Sequence, residues 1–587
     1  MVTSIPVPRG GRLRAARRHR RMSPFAAFSL LLALAAIVLT VISLGSVVLK
    51  LFFTDGSFTL DPIQRTLNHP DLGRTVLQTL TIVLASTVVA VIVGGGLAWL
   101  NERTDARMGL LSDLLPMVPF LVPPIAGSMG WIMLFAPEAG YLNNAWRWLL
   151  GLFGIDTDGA LMNIYSWHGM VFVFSVYGVA FTYMMIAPAL RTLDSNLEEQ
   201  SRISGAGALE TLRKVTLPSI MPAVLAGALL WIWVAMVTVD IPVVIGTPAE
   251  ISMLSNEIVT ALRNTYPADR GLAVGLSSII SIVVMFVWFL QTRVLRGSRH
   301  ATMGSKGTRT IPLRLGRWRT PARLVMVLYM LLTTVLPFGG LLVVAFTGTW
   351  QPSIQWSRIS FDGYATLLSN PQMQAGLRNS LLLALAAATV VALVTAVVSL
   401  YIKRAGPVLG RLVDAGIKLP ATLGTLLLVV GIVLTFTGSP FWMAGTVTIL
   451  FLGYLLLNIP NASITSDAAV AGVSEELTEA SAISGAGDRR TFWRVVLPLL
   501  IPALVGSWAI VFVRVMGDVT VSSLLAGVTN PVIGYQILET QQNGSTSQVA
   551  VLASVLTVVS AVVVFLAVWY GRRASRWASS ERRRRTT

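Results

Sequence analysis

The sequence has no cysteine and carries little charge. Of its 587 residues only 12% are charged, and lysine occurs at just five positions, which are 50, 214, 306, 403 and 418. The absence of cysteine excludes disulfides, cysteine nucleophiles and thiolate metal sites. The histidines at 19, 69, 168 and 300 form no cluster with metal-ligand spacing, so the sequence predicts no metal site.

The chain also lacks the residues that an enzyme or a nucleotide-binding protein needs. None of the lysines stands in a G-x-x-x-x-G-K-[ST] context, so we predict no ATPase site in this chain. The glycines of "ISGAGA" follow a polar helix, not a strand, which argues against a nucleotide loop there. No nucleophile, base or metal constellation supports an enzymatic activity, and we expect no cofactor in this chain.

Hydrophobic residues are what the chain has in abundance. They make up 54% of it, and the mean hydropathy is +0.71, values typical of a membrane protein. A bilayer core needs about 20 apolar helical residues to cross it, and uninterrupted apolar runs favour helices over barrel strands. The sequence therefore predicts an all-α polytopic protein with about twelve spans, at 25–52, 76–100, 109–136, 166–190, 219–246, 271–295, 321–347, 380–402, 415–437, 440–460, 499–527 and 546–570. The first run is too long for a cleaved secretory signal, so we expect it to be retained.

Arginine-rich segments predict the orientation. Residues 1–22 hold seven Arg and no acid, 293–323 holds nine Lys or Arg and no acid, and 571–587 holds seven Arg and one Glu. Short basic segments stay on the cytoplasmic side, so both termini are predicted to be cytoplasmic. Topology thus accounts for the net charge of +18. We expect no nucleic-acid binding, because the basic blocks have no interleaved aromatic residues and no recognisable binding module.

A polar phrase occurs twice, 280 residues apart. "SRISGAGALETLRKVTLP" at 201–218 and "SAISGAGDRRTFWRVVLP" at 481–498 share ten of 18 positions, between predicted spans four and five of each half. This repeat indicates that the two halves of the chain arose by duplication, with six predicted spans in each half. We predict a first repeat at 1–296, a basic cytoplasmic linker at 297–320 and a second repeat at 321–587.

Each phrase predicts a helix–turn–helix ahead of a span. Ser195 is positioned to cap the first short helix in a capping box with Glu198, and Gly205 is positioned to end it. A second short helix then leads to Pro218, at the first turn of the span. We call residues 195–218 the first elbow and residues 475–498 the second elbow.

Both elbows resemble the cytoplasmic loop of the permeases of binding-protein-dependent ABC importers. That loop reads E-A-A-x-x-x-G, then nine residues, then I-x-L-P. The matching residues are Glu199, Gly205, Val215, Leu217 and Pro218 in the first elbow, and Glu479, Ala480, Gly485, Val495, Leu497 and Pro498 in the second. Gln200 and Ser201 depart from the two alanines of the pattern in the first elbow, and Ser481 departs from one in the second.

The resemblance implies a mechanism and a set of partners. Each elbow would be a coupling helix seated in an ATPase subunit, so that two ATPase copies, which bind ATP and Mg, drive the membrane halves. The chain would be a multi-pass protein of the bacterial cytoplasmic (inner) membrane that receives its solute from an extracytoplasmic binding protein. Fused two-repeat permeases are similar to those for ferric iron, with thiamine, polyamine, phosphonate and sulfate permeases as alternatives.

A second, weaker resemblance lies outside the elbows. Gly140 and Asn143 match the G-x-x-N segment that follows the third helix of iron-type permeases. An interfacial helix anchored by Trp146 and Trp148 explains the same stretch equally well.

Ionisable residues inside spans suggest where solute could pass. Asp240 lies late in the fifth predicted span, while Arg514 and Asp518 share one face of the eleventh at i, i+4 spacing. They are candidates for the translocation path between the halves. An internal Arg514–Asp518 pair with Asp240 near the outer interface is an equally good structural interpretation.

An ion-coupled secondary transporter is the main alternative, because twelve helices in two six-helix halves also describe the major-facilitator architecture. That superfamily has a loop like G-x-x-x-D-R-x-G-R-R between spans two and three, where this chain has "NERTDARMG". The major-facilitator superfamily also has no paired loops between spans four and five. The sequence therefore favours the ATP-driven permease.

Overall fold

A computed structural model describes residues 23–54, 56–109, 122–298 and 312–586. Helices account for nearly all of the regular structure there, which confirms the all-α prediction. The exception is a hairpin of two antiparallel two-residue strands, β1 (Phe53–Thr54) and β2 (Ser57–Phe58), at the C-terminal end of the first helix.

In its described residues the first half contains five long helices and several short ones. In chain order they are α1 (Pro24–Phe52), α2 (Asp61–Leu67), α3 (Leu72–Arg103), α4 (Pro124–Phe135), α5 (Tyr141–Leu152), α6 (Trp167–Thr192), α7 (Ser195–Ile203), α8 (Ala208–Thr211), α9 (Leu217–Val237), α10 (Leu254–Val259) and α11 (Arg270–Ser298). Short π-helical turns occupy Leu212–Thr216, Pro242–Gly246 and Thr260–Asn264.

The second half repeats this order. Its helices are α12 (Arg319–Met330), α13 (Leu336–Thr347), α14 (Asp362–Ser369), α15 (Pro371–Arg404), α16 (Pro407–Leu423), α17 (Thr425–Phe436), α18 (Val447–Ala471), α19 (Glu475–Ile483), α20 (Asp488–Thr491), α21 (Leu497–Met516), α22 (Thr520–Leu525), α23 (Ile533–Gln542) and α24 (Thr546–Thr586). Further π turns lie at Leu331–Val335 and Phe492–Val496, and 3-10 turns at Gly316–Trp318 and Trp356–Arg358.

The predicted spans are largely confirmed, with corrections to their number and ends. Among the described residues, ten helices are long and apolar enough to cross a bilayer, or eleven if the bent pair α16–α17 counts as one span. Of the predicted span 109–136, residues 110–121 lie outside the described part, and the helical remainder, α4, is short. The predicted spans 219–246 and 499–527 extend too far at their C-terminal ends. Helix α9 ends at Val237, before the extended residue Thr238, and α21 ends at Met516.

The predicted span 415–437 is broken. Helices α16 and α17 meet at an angle of 98°, and the residue between them, Gly424, has φ of +92°. Only glycine adopts that backbone readily, so the bend is encoded at one position that a hydropathy window cannot detect. The predicted domain limits stay a prediction, and most of the linker 297–320 lies outside the described residues.

The first helix of each half packs on the opposite half. In the bilayer region Ser46 on α1 donates a hydrogen bond to the carbonyl of Gly431 on α17 (3.2 Å). A Cβ on Gly431 would collide with the backbone carbonyl of Ser43, and one on Gly130 of α4 would collide with that of Pro337 on α13. The two glycines therefore permit the same close helix crossing at equivalent places, and the two halves are interlocked.

The first half has one long loop, at the end of the bundle opposite the elbows, without a counterpart of similar length. Residues 136–165 form a loop that carries α5, whereas α17 and α18 are joined by only ten residues. Asn143 is fully buried under this loop, where its amide donates to the carbonyls of Phe135, Ala136 and Met162 (2.9–3.0 Å). The G-x-x-N pattern thus has a structural basis, since Asn143 satisfies carbonyls that would otherwise be buried without partners.

Candidate functional site

The first elbow begins with a helix cap one residue earlier than predicted. Asp194, not Ser195, is the N-cap of α7, and its carboxylate accepts a hydrogen bond from the backbone N–H of Asn196 (3.0 Å). The predicted capping box is therefore wrong. Glu198 turns into the protein instead, where its carboxylate accepts a hydrogen bond from the Thr216 hydroxyl (2.6 Å). The charged Asp194 offers the helix N-terminus a stronger acceptor than a serine hydroxyl does.

Glycine ends the first short helix in both elbows, as predicted. Gly205 has φ of +87° and Gly485 has φ of +78°. The backbone N–H groups of Ala206 and Ala486 each donate to the carbonyl five residues earlier (3.1 Å), which completes a Schellman motif. The same left-handed residue therefore sets the angle of the turn in both elbows.

The second short helix is continuous with the span that follows, so the elbow is not a separate helix pair. In the first elbow α8 runs through the π turn Leu212–Thr216 into α9, and α20 runs through Phe492–Val496 into α21 in the same way. Pro218 and Pro498 are the second residues of α9 and α21. A proline ring clashes with the carbonyl four residues earlier in an α-helix, and a preceding π turn moves that carbonyl away. Each elbow is therefore joined to its span by an unbroken helix.

A serine–threonine contact closes both elbows. The hydroxyl oxygens of Ser201 and Thr211 lie 3.0 Å apart, and those of Ser481 and Thr491 lie 2.9 Å apart. Ser201 and Ser481 are residues at which the sequence departs from the E-A-A pattern. The departures therefore supply a hydrogen bond between the two arms of each elbow, which alanine could not make.

Both elbows expose apolar side chains at equivalent positions. Ile203 and Ile483 are 86% and 88% exposed, and Leu197 and Leu477 are 44% and 41% exposed. Sequence reasoning missed these four residues, although the 280-residue offset that relates the elbows also relates both pairs. Apolar side chains exposed at matching places in two polar segments indicate a docking surface.

The predicted coupling residues of the two elbows differ in exposure. Glu199 is half-buried, whereas Glu479 and Ala480 are exposed. Leu217, Pro218 and Pro498 are exposed at the start of the spans, and Leu497 is half-buried. The two elbows lie at the same end of the bundle as the C-termini of α3 and α15.

The three predicted ionisable residues come together where the two halves meet. The Asp240 carboxylate lies within electrostatic range of Asp518 and Arg514 and beside the backbone N–H of Val519. Asp518 follows the end of α21, so it does not share a helix face with Arg514 as predicted. Its carboxylate instead caps α22 by accepting from the N–H of Val521 (2.7 Å). Within the described residues no ion pair joins Arg514 to either aspartate at 4 Å or less.

A cavity of about 340 Å³ lies between the halves. Its wall combines aromatic, amide and thioether side chains from both halves, among them Met129, Tyr165, Thr247, Trp350, Gln541 and Thr546. The indole N–H of Trp350 is buried and has no hydrogen-bond partner among the described residues. The described part of the lining contains no carboxylate or histidine, and no group of three or more metal-ligating side chains occurs in the described chain.

The sequence matches one protein family in both halves. The model of the family described as binding-protein-dependent transport system inner membrane component matches residues 86–300 and 397–577. The two matched ranges contain the two elbows.

Individual relatives agree with this match. The ferric transport system permease protein FbpB of Actinobacillus pleuropneumoniae is 21% identical over 89% of this chain and 75% of its own length. The spermidine/putrescine permease PotC of Haemophilus influenzae is 26% identical over 36% of this chain and 82% of its own. A crystal structure of a bacterial ABC transporter involved in alginate import aligns with 44% of this chain and 98% of its own, at 21% identity and a TM-score of 0.33.

Proposed function

Because this chain belongs to the family of binding-protein-dependent transport system inner membrane components, we propose that it is driven by separate ATPase subunits that dock on its two elbows. The chain is a multi-pass ABC permease, a transport component and not an enzyme. The conversion of ATP hydrolysis into movement would then take place at residues 195–218 and 475–498.

The observation that carries this proposal is the pair of exposed isoleucines. Leaving Ile203 and Ile483 in water forgoes the hydrophobic free energy of burying them, about 2 kcal/mol for each side chain. A partner that covers both elbows recovers it. Since the two elbows share their turn, their π turn and their serine–threonine contact, one kind of partner fits both, which supports two copies of the same ATPase subunit. ATP and Mg would be bound by that subunit.

The charge distribution supports a cytoplasmic position for this partner. Helix α24, which ends in the Arg-rich tail, runs back toward the elbow end of the bundle. Leu313, in the described part of the basic linker, is hydrogen-bonded to the end of α3. By the positive-inside rule this end of the bundle would face the cytoplasm, and both termini would lie on the cytoplasmic side of the inner membrane. The external loop and the cavity would then face an extracytoplasmic binding protein that delivers the solute.

The cavity between the halves is the candidate solute site. Its lining includes Val243, three residues after Asp240, and the Trp350 N–H, which has no partner among the described residues, could donate to an acceptor on the solute. Ferric iron is the solute we favour, because the FbpB similarity covers most of the chain. Without carboxylates in the described lining, iron would pass as a chelate whose own ligands meet the amide and aromatic wall. The polyamine permeases favour a second candidate, an organic cation, which Tyr165 and Trp350 could hold by cation–π contact.

A reconstitution experiment tests the function. The chain is placed in liposomes with the ATPase and the binding protein encoded beside its gene, and uptake of radioactive iron is compared with uptake of spermidine. We expect uptake only with ATP and the binding protein. Uptake driven by a proton or sodium gradient without ATPase would favour a secondary transporter, and the preferred solute decides between iron and polyamine.

A further inference from the structure

A buried charge pair joins the first elbow to span α3. Arg103, the last residue of α3, is 3% exposed, and its guanidinium lies 3.7 Å from the carboxylate of Glu198, which is equally buried. The same guanidinium donates to the carbonyl of Leu193 at the end of α6 (2.8 Å). Glu198 also accepts the hydrogen bond from Thr216, in the π turn that leads into α9. Four elements, α3, α6, α7 and the base of α9, thus converge on two side chains.

The pair is sealed by the linker between the halves. Leu313 donates its backbone N–H to the carbonyl of Arg103 (2.8 Å) and accepts from the N–H of Asp105 (3.0 Å). Beneath it is a void of about 10 Å³ bordered by Arg103, Glu198 and Leu313. That volume is about the size of one water molecule, and the Arg103 guanidinium retains N–H groups without a protein partner, so we expect a bridging water there.

The second elbow cannot form this pair, because the residue types differ. The 280-residue offset places Thr478 where Glu198 stands and Val496 where Thr216 stands. Lys403 at the end of α15 still donates to the carbonyl of Val473 (2.7 Å), the counterpart of Leu193. A cation therefore binds main-chain carbonyls in both halves, but among the side chains that the structure describes only the first elbow adds a buried carboxylate. The ion pair between α15 and the second elbow, Arg404–Asp488 (3.1 Å), is partly exposed and so is weaker.

We propose that Arg103 and Glu198 are positioning residues that fasten the first elbow to α3 and α6, so that the two elbows transmit the partner's stroke unequally. Removing one member of a buried pair leaves an uncompensated charge, so the pair resists separation when the elbow is pushed. The first elbow then moves α3, α6 and α9 as one body. The second elbow instead meets α15 and the end of α18 through the buried apolar side chains of Phe492 and Val496. These contacts have no charge to leave uncompensated when they shift. This proposal rests on the proposed function for its consequence, but the fastening itself is a property of the chain alone.

The fastening can be measured without any partner. Since the chain has no cysteine, spin labels can be attached to Ile92→Cys and Ile203→Cys in the first half, and to Leu393→Cys and Ile483→Cys in the second. All four native side chains are exposed, and each pair joins the long helix to the elbow of the same half. Pulsed electron paramagnetic resonance in nanodiscs should give a narrower distance distribution for the first pair. Equal widths would overturn the proposal.

Substitutions then assign the difference to the charge pair. Glu198→Gln keeps the shape and the acceptor for Thr216 but removes the charge, and it should broaden the first distribution to the width of the second. Thr216→Val, which copies the second half, provides a second variant should Glu198→Gln fold poorly. The charge-swapped double variant Arg103→Glu with Glu198→Arg should make the first distance distribution partly narrow again. If the single variants acted only by disturbing the packing, the swap would not restore it. A first distribution unchanged by Glu198→Gln and Thr216→Val contradicts the assignment.

The consequence for coupling is tested in the full complex with ATPase and ferric-loaded binding protein. We expect Glu198→Gln to lower the solute transported per ATP about fivefold or more, in the range of ordinary coupling energies. The matched control Lys403→Gln in the second half should change this ratio less. An unchanged ratio in Glu198→Gln overturns unequal coupling. If the wild-type complex shows no ATP-dependent transport, the proposed function fails. The spin-label distance distributions of the chain alone still test whether Arg103 and Glu198 fasten the first elbow.

Discussion

The hydroxyl oxygen of Ser201 lies 3.0 Å from that of Thr211, and this contact joins the two arms of the first elbow across the turn at Gly205. The second elbow has the same contact between Ser481 and Thr491. The turn, the hydroxyl contact and the π turn thus form a unit that both halves retain, while the charge pair at Glu198 is present in the first half alone. The elbows therefore share the same internal geometry and differ in how they are attached to the neighbouring helices.

Alanine at Gly205 should distort the first elbow. Gly205 has φ of +87°, where a side chain costs about 1 kcal/mol or more, although no atom lies near enough to clash. Gly207, two residues away, has an ordinary extended backbone and equal space, so Gly207→Ala is the matched control. We expect Gly205→Ala to weaken binding of the ATPase, measured by co-purification at equal membrane abundance. Equal effects of the two substitutions would contradict the role of the turn.

Polar substitution of the exposed isoleucines should release the partner. Ile203→Ser with Ile483→Ser removes the two most exposed apolar side chains of the elbows without touching the protein interior. We expect loss of about 2 kcal/mol of binding free energy per side chain, hence much weaker ATPase co-purification. Ile155→Ser alters a half-exposed isoleucine on the external loop and should leave co-purification unchanged.

Charge reversal at the elbow glutamates should uncouple transport. The double variant Glu199→Lys with Glu479→Lys places cations beside the docking surface, while neither side chain is fully buried, so the chain should still insert. We expect transport in cells to be lost at normal membrane abundance. Glu210→Lys, an exposed reversal on the same elbow, is the control, since Glu210 pairs only with Lys214 at the surface. Normal transport by the double variant would refute the coupling assignment.

The sequence predicted the elbows well because their features are local. A glycine that ends a helix, a proline in a first turn and a repeat at a fixed offset are each readable within a few residues. The cap at Asp194 was missed because an adjacent serine offered an equally good pattern. The burial of Glu198 was missed because its partner, Arg103, lies 95 residues earlier, and single-sequence reasoning gives no contact at that separation.

The membrane region shows the same limit. Hydropathy located nearly every span, since apolar length is a property of the segment itself. It did not reveal the 98° bend at Gly424 or the helix ends at Val237 and Met516, which depend on single backbone conformations. The 280-residue offset between the halves puts Asp240 two residues out of register with Asp518, but their meeting at the interface follows from how the halves interlock.

Alanine at the interlocking glycines should loosen the halves. Gly130→Ala and Gly431→Ala each place a methyl group against a backbone carbonyl of the other half's first helix, which cannot retreat as a flexible side chain can. Overpacking of this kind costs about 1–3 kcal/mol, so each variant should unfold at a lower temperature in detergent. Gly339→Ala lies in α13, where no atom is within 4 Å of the added methyl, and should be neutral. A neutral Gly431→Ala would show that the crossing is looser than described.

Accessibility labelling of single cysteines tests the orientation on which the docking proposal depends. Leu209→Cys on the first elbow and Ile483→Cys on the second are exposed at one end of the bundle, and Ile155→Cys is exposed on the loop at the other end. In intact cells a membrane-impermeant maleimide should label Ile155→Cys only, and in inverted vesicles it should label Leu209→Cys and Ile483→Cys. The cysteine-free parent chain provides the background. Labelling of either elbow from outside would place both docking surfaces beyond the reach of a cytoplasmic ATPase, because the elbows lie at the same end of the interlocked halves.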